Sequence, residues 1–91
     1  MFTVLARKNG TGDARLGLAI SKKHCRLASG RNRLRRIVRE SFRAHRTELA
    51  GLDLVVMAQQ GAAAAGNEQL RASLARHWRR LRLASPQDSG G

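Results

Sequence analysis

The chain's densest chemistry lies in RNRLRRIVRESFRAHR, Arg31 to Arg46, where seven of sixteen residues are arginine and only Glu40 is acidic. A guanidinium is a planar fork of donors that can grip a phosphate through two parallel hydrogen bonds. On an α-helix, at about 100° per residue, Arg35, Arg46, Arg39, Asn32, Arg43 and Arg36 fall in that order within an arc of roughly 100°. Leu34, Ile37, Val38, Phe42 and Leu49 gather on the other side, with Ser41 and His45 among them. One face would dock on a core while the other offers arginines to a polyanion. A solvated charged face mixes signs to form i,i+4 pairs, which one glutamate among seven arginines cannot do.

The remaining reactive side chains form no comparable group. His24 precedes Cys25, but adjacent side chains point apart, and no second cysteine or spaced histidine completes a metal set. His45 and His77 have no carboxylate or cysteine at a spacing that makes a nucleophile or an acid–base pair. No Gly-rich phosphate loop precedes a helix. The expectation is a chain without catalytic residues, and without a metal or cofactor bound by the protein alone.

The whole composition repeats the bias of that one stretch. Eighteen Lys+Arg face 6 Asp+Glu, a formal net charge of +12, and 15 of the cations are arginine. High-GC codon usage explains part of the arginine preference but not its clustering. Such a charge repels itself, so a bound polyanion should stabilise the fold. At 91 residues the chain has room for one small core. Cys25 is the only cysteine, which excludes an intrachain disulfide and suits a reducing cytosol. No apolar run nears the roughly 18 residues of a membrane span, and MFTVLARK lacks the parts of a signal peptide. The expected location is the cytoplasm.

Stepping along the chain, Phe2–Arg7 reads as a strand and Asn9–Asp13 as a turn rich in Gly and Asn. Leu16, Leu18 and Ile20 alternate with Gly17, Ala19 and Ser21, a second strand with one heavy and one smooth face. These two runs suggest an antiparallel hairpin. Ser29 is a candidate N-cap for the arginine helix and Gly51 a candidate C-cap neighbour. Leu52–Ala58 is nearly continuous in apolar residues, as a central buried strand would be. Residues 59–66 suit either a loop or an extension of the next helix. Asn67 is a candidate N-cap, and Leu70, Leu74, Trp78 and Leu81 form the apolar stripe of a second basic helix. The order is β-β-α-β-α, an α/β (α+β) sandwich in which a small mixed sheet carries packed helices. One domain is expected over residues 1–83, with a disordered polar tail over 84–91.

RNRLRRIVRESFR, preceded by RLGLAISKKH and followed by GLDLVVMA, resembles the protein component of bacterial ribonuclease P, with its RNR-motif helix. Three linked segments in matching order carry the resemblance, which runs from Phe2 to about Leu81. It implies a four-stranded sheet with helices on one side and a left-handed β-α-β crossover around the RNR helix, against the general right-handed rule. It also implies a monomer, one per RNA, that binds the catalytic RNA and precursor tRNA and assists removal of the 5′ leader. The leader would lie in a cleft between sheet and helix, and the chemistry would belong to the RNA with its Mg²⁺. By position, the implied RNA contacts are Lys22, Lys23, Arg31, Asn32, Arg33, Arg35, Arg36 and Arg39, to which the helical wheel adds Arg43 and Arg46. Arg33 lies off the basic arc, so its role rests on the resemblance.

Two departures from the family pattern stand out. Relatives carry an N-terminal helix and strand ahead of the segment matching Phe2, and this chain is expected to lack them, through a late-called start or truncation. With Phe2, Phe42 and Trp78 as the only aromatics, stacking of unpaired bases is poorly provided for. Ser29-Gly30, where relatives have larger residues, would loosen the first helical turn. The rival readings are a structural, ribosomal-type RNA-binding protein, a DNA-binding helix and a membrane-active segment. A DNA reader needs base-reading Asn or Gln beside its arginines, and Asn32 alone is thin support. A membrane helix needs broader apolar faces than either basic helix offers.

Overall fold

A computed structural model shows three strands and two helices: β1 (Phe2–Lys8), β2 (Arg15–Ala19), α1 (Ala28–Ala44), β3 (Leu52–Ala58) and α2 (Asn67–Gly90). Side chains are described through residue 82, and the tail expected over 84–91 lies outside these described residues. The apolar run Leu52–Ala58 takes the centre of the sheet, as expected, in the order β1-β3-β2.

The expected hairpin between the first two strands does not form. β3 lies between them, antiparallel to β1 and parallel to β2, with Val56 opposite both Val4 and Leu18. The strand with the most apolar surface gains most by pairing on both edges. A tight hairpin also needs a short turn, and six residues separate β1 from β2. That loop instead spans the end of β3. Asn9 N–H donates to Gly51 O (2.9 Å), and Gly51 N–H to Asp13 O (3.2 Å). The Asn9 amide donates to Asp13 O (2.8 Å) and to Asp53 Oδ1 (3.0 Å). Gly51, at φ +86°, makes the positive-φ bend under this loop. β2, α1 and β3 therefore form a β-α-β unit, with β1 added antiparallel on the far edge of β3.

One face of the sheet is covered and the other is open. Leu52, Leu54, Val56 and Ala58 are buried with Phe2, and Val4, Leu16 and Leu18 pack against them. Above this face lie Leu34, Ile37 and Val38 of α1, and Leu70, Leu74 and Trp78 of α2. Both apolar stripes thus meet the core, although Leu49 reaches it from the turns after α1 rather than from the helix on which its spacing grouped it. The alternate residues, Thr3, Leu5 and Arg7 beside Met57, Val55 and Asp53 and then Ala19, Gly17 and Arg15, form the open face. Leu5 and Val55 remain 56% and 41% exposed on it.

α1 starts at Ala28 with Leu27 as N-cap, ahead of Ser29, and no side chain caps it. It ends at Ala44, and residues 45–51 form turns rather than more helix. Residues 59–66 form a turn-rich connection, in which Ala62 and Ala65 are buried. Gly66 precedes α2, and its N–H donates to Gln69 Oε1 (3.1 Å) in the manner of a capping box. Asn67 itself is the first helical residue. Among the described residues no helix is long and apolar enough to cross a membrane.

Candidate nucleic-acid interface

Asn32, Arg35, Arg36, Arg39 and Arg43 sit together on the side of α1 away from the core. With Glu40 they line a shallow groove of about 460 Å³. Asn32, Arg36, Arg39 and Arg43 are exposed and Arg35 is half-buried. Arg35 Nη1 donates to Asn32 Oδ1 at 3.3 Å, which orders the start of the strip. Among the described residues none of these arginines has an ion-pair partner. Glu40 turns sideways to Arg71 of α2 (3.9 Å), and Glu48 accepts from Arg82 (3.2 Å). Both pairs are well exposed and stabilise the fold little. They do draw the two acids of this region toward α2, and Glu40 is the one acid that borders the α1 strip among the described residues.

Arg46 is not on that strip. The helix ends before it, so the wheel that grouped it with Arg35 and Arg39 does not apply. It lines a separate cavity of about 630 Å³ with Arg15, Asp13 and Thr47, between the β1–β2 loop and the turns after α1. Nothing in the local spacing shows that Arg15 and Arg46 share one space, because β2 and the end of α1 meet only through the fold. Lys22 and Lys23 are exposed in the turn after β2, which is closed by the His24 and Cys25 N–H groups donating to Ser21 O (3.2 and 3.1 Å).

The two arginines of the RNR triplet have partners within the protein. Arg31 uses Nη1 for Cys25 O and Arg26 O, both at 3.0 Å, tying the incoming segment to the first turn of α1. Its other donors have no partner among the described residues. Arg33 Nη1 donates to Asn67 Oδ1 (2.8 Å) and Ala65 O (3.3 Å), and Nη2 to Ala63 O (3.0 Å) and Ala65 O (3.2 Å). Acceptors on a distant backbone leave no trace in a side-chain pattern. The only sign in the sequence is that Arg33 falls off the basic arc.

The three aromatics belong to the core. Phe2 and Trp78 are buried, and Phe42 meets Trp78 edge-on at 6.4 Å between ring centroids. Trp78 Nε1 donates to Ser41 Oγ at 2.8 Å, so its polar tip is satisfied. His45 donates through Nδ1 to Ser41 O (2.9 Å). Burial, and then the neighbouring Arg80, lower the pKa of His77, against a hydrogen bond to the Phe2 backbone that raises it. Among the described residues no three His, Cys, Asp or Glu side chains come together as a metal site would need.

Comparison with known proteins agrees with this fold. A family model described as Ribonuclease P matches residues 1–82. The ribonuclease P protein component of Thioalkalivibrio sulfidiphilus is 52% identical over 80 residues, which is 88% of this chain and 67% of that protein. The corresponding protein of Pseudomonas aeruginosa (strain LESB58) is 45% identical over 93 residues, 97% of this chain and 69% of the relative. The solved RNase P protein of Thermotoga maritima, in complex with 1-(4-fluorophenyl)-2-thiourea, superposes with a TM-score of 0.78 at 33% identity. That match covers 87% of this chain and 78% of that one. The family model spans all three strands, the whole of α1 and α2 as far as residue 82, and α1 carries the RNR triplet; the chain belongs to the ribonuclease P protein family.

Proposed function

We propose that this chain, as the protein subunit of ribonuclease P, binds the ribonuclease P RNA through the unpaired arginine strip of α1. Asn32, Arg35, Arg36, Arg39 and Arg43 make the surface, with Lys22 and Lys23 at its margin and Arg46, beside Arg15, as a separate outpost. The observation that carries this reading is the absence of any ion pair on the strip among the described residues, on a chain of net charge +12. Self-repulsion of that kind favours binding a polyanion, with release of its counterions.

Precursor tRNA is the second RNA in this proposal, and its unpaired 5′ leader lies along the open face of the sheet. Leu5, Val55 and Met57 would meet bases there, and Arg7 and Arg15 phosphates. With every described aromatic in the core, the leader is held by aliphatic contact and charge rather than by stacking. The hydrolytic step is assigned to the RNA. Mg²⁺ is assigned to RNA phosphates, where it would activate water and stabilise the leaving oxygen. The protein acts as a monomer, one per RNA, in the cytoplasm, and supplies cations where two polyanions meet.

The test is reconstitution with ribonuclease P RNA at low Mg²⁺, following cleavage of precursor tRNA. The expected result is faster cleavage with the protein, and an advantage that shrinks as salt rises. Unchanged cleavage rejects the proposal. Arg36→Ala with Arg39→Ala should lower the salt slope of RNA binding by roughly 0.7–0.9 per lost phosphate contact.

A further inference from the structure

We propose that Arg33 is a positioning residue: it locks the 63–67 segment and the start of α2 onto α1, and so holds the basic strip in place without contacting RNA itself. The inference rests on the reading of that strip as the RNA surface. An arginine has five N–H donors. Arg33 commits both terminal nitrogens, through four hydrogen bonds, to Ala63 O, Ala65 O and Asn67 Oδ1, which leaves only Nε–H for a phosphate. Arg31 spends one nitrogen on Cys25 and Arg26 and keeps most of its fork.

Position supports the same division. Arg33, Ile37, Glu40 and Ser41 stand at i, i+4, i+7 and i+8, one side of a helix. Arg33 meets Asn67, Glu40 meets Arg71, and Ser41 meets Trp78, so the partners advance along both helices together. Arg33 is the first rung of the α1–α2 contact, where the connection from β3 enters α2.

A latch is needed at this end of α1. No side chain caps the helix, and its first turn contains no acid. Arginines near a helix N-terminus also oppose its dipole. Asn32, Arg35 and Arg36 sit on those first turns, so fraying would disperse the charges that RNA meets. Arg33 gives the segment a tertiary anchor in place of a local cap.

The experiment compares Arg33→Ala, Asn67→Ala, their double variant and Arg36→Ala. RNA binding is measured over a range of salt, and amide exchange in the RNA-free protein. Arg33→Ala should weaken RNA binding with an unchanged salt slope, and the loss should be non-additive with Asn67→Ala. Exchange should speed up at Arg31, Ala65 and Leu70, whose amides bond Leu27 O, Ala62 O and Gly66 O. A slope lowered by about 0.7–0.9 in Arg33→Ala, with exchange unchanged, makes Arg33 a phosphate contact and overturns the proposal. Additive losses overturn it too. If Arg33→Ala does not fold, Asn67→Ala carries the test: wild-type affinity together with wild-type exchange refutes the latch. An unchanged slope in Arg36→Ala rejects the strip as the RNA surface, whatever Arg33 does.

Discussion

A Cβ added at Gly30 would lie 2.9 Å from Cys25 Sγ, closer than side chains normally come. Glycine in the first turn of α1 would loosen it through backbone entropy; here it also makes room for a buried thiol that packs the incoming segment onto the helix. Gly30→Ala should therefore destabilise the fold by about 1–3 kcal/mol, as overpacking does. In a Cys25→Ala background the obstacle is gone, and the same substitution should be neutral or stabilising, since alanine is the better helix former. Urea unfolding of the four proteins measures both. At this scale the strip residues Asn32, Arg35, Arg36, Arg39 and Arg43 were legible from helical spacing, because one helix carries them all. Arg46 was not, since spacing cannot show where a helix ends. The four bonds of Arg33 were not, since three go to loop carbonyls and one to the Asn67 side chain at the start of α2, all 30 to 34 positions further along the chain.

Between elements, the contact of α1 with α2 turns on Ser41 and Trp78. The Trp78 ring is buried, and Ser41 Oγ is the acceptor for its Nε1–H. Ser41→Ala leaves that donor unmet at a cost of about 1–3 kcal/mol. Trp78→Phe removes donor and volume together, and Ser41→Ala added to it should cost little more. A double-mutant cycle by chemical denaturation is the measurement, and additive effects would exclude the bond as the link. The apolar stripe of α2 and the central place of β3 could be read from periodicity and from the length of the apolar run. The pairing of the strands could not. A hairpin is a local solution, and what displaced it was the gain from pairing β3 on both edges, which depends on residues far apart in the chain.

For the molecule as a whole, charge makes stability a function of its solution. Sulfate at matched ionic strength should raise the melting temperature, because anions bind the native cation cluster more tightly than the unfolded chain. A Tm unmoved by sulfate contradicts this. Acid acts through His77, with Arg80, the Met1 amino group and Arg76 as the cations around it. Its folded pKa lies below the ordinary value near 6.5, so the unfolded chain binds more protons than the native one in that range. The stability that neutral His77 contributes is present above about pH 6.5 and is lost as pH falls through that value toward the lowered folded pKa. His77→Gln should flatten this limb of the pH–stability curve, measured as Tm against pH. The order β1-β3-β2 has a temporal consequence as well. On the ribosome Phe2 is made 56 residues before its partner Ala58, a wait of several seconds at about 5–20 residues per second. Through that interval β2 and the arginine helix emerge with no central strand to dock on, and β1 has no partner at all. The sheet can close only when Leu52–Ala58 clears the exit tunnel, so synthesis of the third strand sets the earliest moment at which the subunit can fold.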